Sequence, residues 1–245
     1  LRKENGELGV IFVNTFISAL LFRLGNVKKN IGYNREGRGF LLDFSPEINY
    51  HKHYINRYAF LFNEYIGNKY VYLPELSLRY TGQKTFQFDN SHKTIALYLG
   101  GENKEFRKYP DEYAVQLLRL LNRQGYNLLL IGDENDNIKH TQYAEEARID
   151  HLINLTARTT IEGFINTIAN VDLIITIDSS ALHIAAAVKT PFIALMGLST
   201  SPTSTILPKV PLGRILKIEN NLIREEDYIR NITPDLILKT ISELI

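Results

Sequence analysis

The sequence predicts an α/β protein whose second part is a parallel sheet with helices on both faces. Three observations carry that prediction. Short apolar runs alternate about six times with helix-periodic segments after residue 93. The runs are apolar throughout, as strands covered on both faces must be. The segments between them carry start and stop residues at the expected places.

Taken in order, TIALYL (94–99), YNLLLIG (126–132), HLINLT (151–156), DLIITI (172–177), PFIALMG (191–197) and RILKI (214–218) read as strands. Between them, 110–125 has apolar spacing of three and four, with Pro110 at its first turn and Gly125 as its stop. Residues 137–148 read as a helix, and 159–171 as a helix opened by Thr with Glu162 in its first turn. SALHIAAAV is a helix, and ITPDLILKTISELI closes the chain as another, with Thr233 as cap and Pro234 at its first position. The first part is less regular. GVIFV (9–13) and VKKNIGY (27–33) read as strands, FISALLFRLG (16–25) as a helix ended by Gly25, and 51–67 as an aromatic-rich helix. Residues 74–93 are polar and irregular and read as a linker, so the expected division is 1–90 and 91–245.

The chain has 245 residues and 44% apolar content, enough for a substantial core. It has no cysteine, which excludes disulfides and thiolate chemistry. No apolar run approaches a membrane span, and no signal peptide is visible. The net charge of +1 is too balanced for a general nucleic-acid binder. Residues 1–90 carry +4 and 91–245 carry −3. The basic first part suits an anionic partner or membrane surface; ordinary solvated surface is the plainer reading. The sequence opens on Leu1 as if in the tail of a helix entering a strand, so an upstream segment is expected.

In a parallel sheet ligands gather at the carboxyl ends of the strands. The sequence places a polar turn at four of them. In ITIDSSALHIAAA (175–187), Asp178 ends a strand, Ser179 or Ser180 caps the next helix, and His183 follows one turn in. The first N–H groups of a helix have no intrahelical partner and its dipole favours anions there, so this unit suits a phosphate or diphosphate. A Ser-capped helix with a half-buried His is the alternative. A serine hydrolase is disfavoured, because no G-x-S-x-G elbow exists and Asp, Ser and His are too close in sequence for a triad. LGGENKEFRKYP (99–110) offers glycines for close backbone approach, then Arg107 and Lys108 for phosphate oxygens; alone it is an ordinary βα turn. IGDENDN (131–137) offers Asp133, Glu134 and Asp136, suited to ribose hydroxyls, and lacks the pattern of a calcium loop. MGLSTSPTS (196–204) is the fourth turn. His51 and His53 have no partner that would make a metal site. Four such turns on one edge favour a nucleotide-binding site.

These segments also resemble a known family. GGENKEFRKYP, LLLIGDEND and INLTARTTIEGFINTIANVDLIITIDSSALHIAAAVKTPFIALMG are similar to glycosyltransferase family 9, the lipopolysaccharide heptosyltransferases of the GT-B fold. VNTFISALLFRLGNVKKNIGYNREGRGFLL resembles that family's N-S-F-x-S-A-L segment and its R-x-x-L-L continuation, most like the heptosyltransferase II branch, as is the closing helix. The resemblance implies two Rossmann-like domains: an incomplete acceptor-side domain at 1–90 and a nucleotide-sugar domain at 91–245. It implies inverting, metal-independent transfer of heptose from ADP-heptose to the lipopolysaccharide core and lipid A acceptor. It implies no cofactor, and a site of action in the cytoplasm at the inner membrane surface. Carried over, Asp178, Ser179, Ser180 and His183 hold the donor diphosphate and sugar. Gly101 and Glu102 lie beside the diphosphate, with Arg107 at the family's phosphate-binding Lys and Lys108 next to it. Glu134 lies near the ribose, and Thr159 before the helix lining the adenine. Ser180 stands where the family has Gly, and GLSTSP departs from G-P-[TS]-[DS]-P. The family's catalytic Asp has no counterpart here, so the chain is expected to bind donor yet turn over poorly. A transferase for another nucleotide sugar, or a non-catalytic nucleotide-binding module, are the other two readings.

Overall fold

The structure, a computed structural model, describes residues 5–71, 75–88, 91–197, 207–208, 210–218 and 224–245, with only the backbone of Glu102, Glu105, Glu225 and Glu226. The chain divides into two compact units, one reaching to Glu75 and the other beginning at Leu76.

The second unit contains a six-stranded sheet. Its strands are β3 (Thr94–Tyr98), β4 (Asn127–Leu130), β5 (Leu152–Asn154), β6 (Leu173–Ile177), β7 (Phe192–Met196) and β8 (Gly213–Lys217). They are all parallel and run in the order β5-β4-β3-β6-β7-β8. Every residue of β3, β4, β6 and β7 is buried, which is why those segments are unbroken apolar runs. β8 lies at the edge and is half-exposed, with Arg214 and Lys217 blunting it.

The intervening helices are α3 (Asp111–Arg123), α4 (Asn137–Ala147), α5 (Ile161–Ala169), α6 (Ser180–Val188) and, at the chain end, α7 (Pro234–Ile241). α3 packs on α4 and α7, and α5 packs on α6. Right-handed crossovers in opposite directions from β3 put these two groups on opposite faces. The caps are where the sequence placed them for α3 and α7: Gly125 is left-handed after α3, and the Thr233 hydroxyl accepts the Leu236 N–H. α5 is capped by Thr160, whose hydroxyl accepts the Gly163 N–H; Thr159 lies just outside the helix.

The segment read as a linker belongs to this unit from Leu76 onward, so the compact units divide at Glu75 and not at residue 90. Polar side chains on the helices hold it. Asn166 of α5 accepts the Thr81 and Gly82 N–H groups and donates to the Thr81 hydroxyl. Leu78 N–H donates to the Ala187 carbonyl of α6. The strap is irregular because its hydrogen bonds go to helix side chains and a helix carbonyl, not to a ladder.

The first unit holds a β-α-β element: β1 (Leu8–Ile11), α1 (Phe16–Leu24) and β2 (Lys29–Gly32), with the strands parallel. α1 ends at Gly25, but the left-handed residue is Asn26, at φ 56°. α2 (Tyr54–Tyr65) follows. Two arginines organise this unit: Arg38, which opens the R-x-x-L-L stretch, and Arg57, which was not singled out in the sequence. Arg38 is fully buried, and its guanidinium donates to the carbonyls of Val13, Thr15 and Tyr33, to the Ser18 hydroxyl and to Asn14 Oδ1. Burial pulls its pKa below the ordinary value. Arg57, also buried, donates to the Lys52 and Tyr50 carbonyls and stacks 4.5 Å from the Tyr54 ring centre. Among the described residues no helix is long and apolar enough to cross a membrane.

Candidate functional site

The strand order reverses between β3 and β6, so the turns leaving these two strands lie side by side at the carboxyl edge. Those turns carry Gly100–Gly101 and Asp178–Ser179. Since the order is β4-β3-β6-β7, the four strand ends picked out in the sequence adjoin along one edge.

Glycine contacts knit the turns together. Gly100 has φ +81°, and a methyl there would come within 2.7 Å of Ile177 Cδ1 at the end of β6. A methyl on Gly101 would collide with the Asn135 carbonyl oxygen and come within 2.8 Å of Asp136 Cα. One on Gly197, after β7, would lie 2.6 Å from the Phe106 carbonyl oxygen. These glycines make close approaches to the protein's own backbone and side chains.

The β6 turn is a helix N-terminus. Ser179 is the N-cap: its hydroxyl accepts the Ala181 N–H at 3.2 Å and lies 2.9 Å from the buried Thr176 hydroxyl. Ala181 and Leu182 turn into the core, while Ser180 and His183, three residues apart, are exposed. The alternative with a half-buried His does not hold in that respect: His183 is exposed on the outward face of the first turn of α6. Asp178 is half-buried between the strand and the cap.

After Gly101 the chain makes a 3-10 segment, Glu102–Arg107. The Glu102 side chain lies outside the described residues, as does the loop from 198 to 206. Arg107 is half-buried and, among the described residues, has neither a hydrogen bond nor an ion pair. Lys108 is committed elsewhere: its ammonium lies 2.8 Å from Asp111 Oδ1. Asp111, in the first turn of α3, also meets Lys139 at 3.0 Å and accepts from the Tyr143 hydroxyl. Burial opposes its ionisation, but Lys108, Tyr143 and Lys139 together hold its pKa at about 2.

This depression has a sign. The ordinary carboxyl pKa is about 3.9, so the stabilisation is complete above that pH and is lost as pH falls towards about 2. The Asp111 side chain is 41% exposed, and solvent screening limits the effect to roughly 1 kcal/mol. Asp111→Asn is expected to lose that amount at pH 7 and to flatten the acid limb of the stability curve between pH 4 and 2. Equal curves for the two proteins would refute it.

At the β4 end the carboxylates diverge. Glu134 is exposed. Asp133 accepts the Asn135 N–H at 2.8 Å and meets Lys104 at 3.2 Å. Burial opposes its ionisation, and these partners keep its pKa below the usual range. Asp136 is buried and turned inward, its Oδ2 accepting the Asp133 N–H at 3.0 Å. Among the described residues no three such groups gather as metal ligands. Tyr98, the last residue of β3, is buried; burial and the nearby Asp136 and Asp133 raise its pKa, so its hydroxyl keeps its proton. Lys104 lies 5.8 Å from its ring centre. Thr159 is half-buried beside the Thr160 cap. Lys104 and His140 were not singled out as site residues in the sequence, because their part depends on contacts with distant segments; Asp136, read there as suited to ribose hydroxyls, is instead buried. A cavity of about 610 Å³ lined by Arg119, Gln142 and Arg148 lies at the opposite edge, where α3 and α4 end, and is not this site.

Comparison with known proteins adds the following. The family described as Glycosyltransferase family 9 (heptosyltransferase) matches residues 1–226. Lipooligosaccharide heptosyltransferase 2 of Haemophilus influenzae is 26% identical over 99% of this chain and 78% of its own. The solved E. coli ADP-heptose lps heptosyltransferase II matches with TM-score 0.84 at 21% identity, over 99% of this chain and 77% of that one. An E. coli heptosyltransferase solved with ADP-2-deoxy-2-fluoro heptose matches with TM-score 0.74 at 15% identity, over 99% and 75%. The expected α/β fold of GT-B type is thereby shown.

Proposed function

Since this chain belongs to glycosyltransferase family 9, the heptosyltransferases, we propose that it transfers heptose from ADP-heptose to the inner core of lipopolysaccharide, with inversion and without a metal ion. The observation that carries the proposal is the pairing of the Gly100–Gly101 turn with the α6 N-terminus where the strand order reverses. A diphosphate lying across these two turns would meet the dipole and first N–H groups of α6, with Arg107 nearby in sequence and available to phosphate oxygens. The names and bound donor analogue of the relatives support ADP-heptose as the donor.

In this reading Asp178, Ser179, Ser180 and His183 hold the diphosphate and sugar. Gly101 and Glu102 flank the diphosphate, Glu134 meets the ribose, and Thr159 lies near the adenine. Lys108 acts through Asp111, steadying the start of α3. When the glycosidic bond breaks, negative charge grows on the departing ADP. In this reading Arg107 and the first N–H groups of α6 stabilise that charge. A carboxylate takes the proton of the acceptor hydroxyl. The acceptor is the phosphorylated glycolipid at the cytoplasmic face of the inner membrane, which the basic first part suits.

Calorimetric titration of the chain with ADP, UDP, GDP and CMP tests the donor. ADP is expected to bind best, and Asp178→Ala and His183→Ala each to weaken it by at least about tenfold, roughly 1.4 kcal/mol. Preference for UDP or GDP would keep the fold and overturn the donor. No binding by the folded chain would overturn the site.

A further inference from the structure

Behind the nucleotide edge lie two buried polar atoms that the donor site, as described, does not use. Asp136 is the N-cap of α4 and is fully buried. Its Oδ2 accepts the Asp133 N–H, but its Oδ1 has no hydrogen-bond partner among the described residues. Four residues on, His140 is also fully buried. Its Nδ1 lies 2.8 Å from the Thr156 hydroxyl, and its Nε2 has no partner among the described residues. Positions i and i+4 share one face of a helix. Buried polar atoms are nearly always paired, so two orphans one turn apart call for a common explanation.

The chemistry of the ring supplies it. If Nδ1 carried the proton, it would donate to the Thr156 oxygen and leave a bare Nε2 lone pair in the field of the Asp136 carboxylate. If the Thr156 hydroxyl donates to Nδ1, the ring proton sits on Nε2 and faces that carboxylate favourably. Asp136 and Asp133 both favour a charged ring, but burial outweighs them and pushes the His140 pKa down to about 4. The ring is therefore neutral at pH 7 and has one proton to place. The Tyr143 ring, its centre 5.9 Å away, packs beside it.

Asp136 reaches the site directly. Its backbone and that of Asn135 occupy the space a Gly101 side chain would need. Its carboxylate holds the Asp133 N–H, and Asp133 holds Lys104. We infer that His140, protonated on Nε2 and facing Asp136 Oδ1, is a positioning residue that braces the Gly100–Gly101 turn for the nucleotide diphosphate. This rests on the reading of that turn as part of the donor site.

Nitrogen-15 NMR of histidine in the full chain, with ADP calorimetry alongside, tests it. His140 is expected as the Nε2–H tautomer. Asp136→Asn turns an amide donor towards the ring and is expected to flip it to Nδ1–H, which loss of packing alone would not do. His140→Ala is expected to weaken ADP about tenfold, and His140→Gln, whose amide reaches the place of Nε2, to restore most of that. An Nδ1–H tautomer in the parent protein would overturn the pairing. Parent-like ADP affinity in His140→Ala would overturn the positioning role while leaving the donor site standing. Failure of the parent chain to bind ADP would overturn the donor reading and the positioning role together, while the tautomer would still decide the pairing.

Discussion

Gly101→Ala is expected to cost about 2–3 kcal/mol of stability, in the range for overpacking a filled site, and to abolish measurable ADP binding. The added methyl meets backbone on its crowded side: the Asn135 carbonyl oxygen and Asp136 Cα. Neither can swing away as the end of a long side chain could. The 134–136 turn is itself fixed by the reciprocal cap of Asp133 and Asp136. Either the β3 turn or the β4 turn must move, and both line the proposed donor edge. Gly37→Ala is the control: that residue is left-handed, with φ +68°, but has nothing within 4 Å of its missing methyl. It is expected to show backbone strain of about 1 kcal/mol and unchanged ADP affinity. Denaturant unfolding and calorimetry on the two variants decide the matter. Wild-type ADP affinity in Gly101→Ala would show that the turn does not contact the nucleotide.

Arg38→Met is expected to destabilise the first unit by about 1–3 kcal/mol, the cost of leaving neutral acceptors without their buried donor. The change keeps much of the volume but removes every donor. The carbonyls of Val13, Thr15 and Tyr33, the Ser18 hydroxyl and Asn14 Oδ1 would all lose a hydrogen bond. Arg38→Lys is expected to recover only part, since one ammonium cannot cover acceptors spread across a guanidinium fork. Hydrogen exchange locates the damage: faster exchange is expected at Ser18 and through β2, with β3 and β6 unchanged. Wild-type stability in Arg38→Met would refute the network's role.

Much of the fold was legible because its signals are local. Each strand and helix of the second unit was read to within a few residues from its apolar run and its caps. The 3-10 segments at Arg38–Leu41, Glu102–Arg107 and Glu134–Asp136 were not, since they fall within polar turns with no periodicity. The candidate site was legible as four polar turns at strand ends, because a parallel sheet obliges them to share an edge. What each side chain does there was less so. Lys108 looked like a phosphate ligand and is held by Asp111; Asp136 looked like a ribose ligand and is buried beneath the Gly101 turn.

By itself the sequence determined the main strands and helices, the caps of α3 and α7, the parallel character of the second sheet and the family. Only the tertiary structure decided that Gly101 rests on Asn135 and Asp136, that Asn166 ties down the strap, that Arg38 is a buried hub and that Asp136 and His140 are both buried. The physical reason is range. Periodicity and capping act over a few neighbouring residues and can be read along the chain. These contacts join segments that the fold brings together, and their strength comes from burial that a sequence does not display.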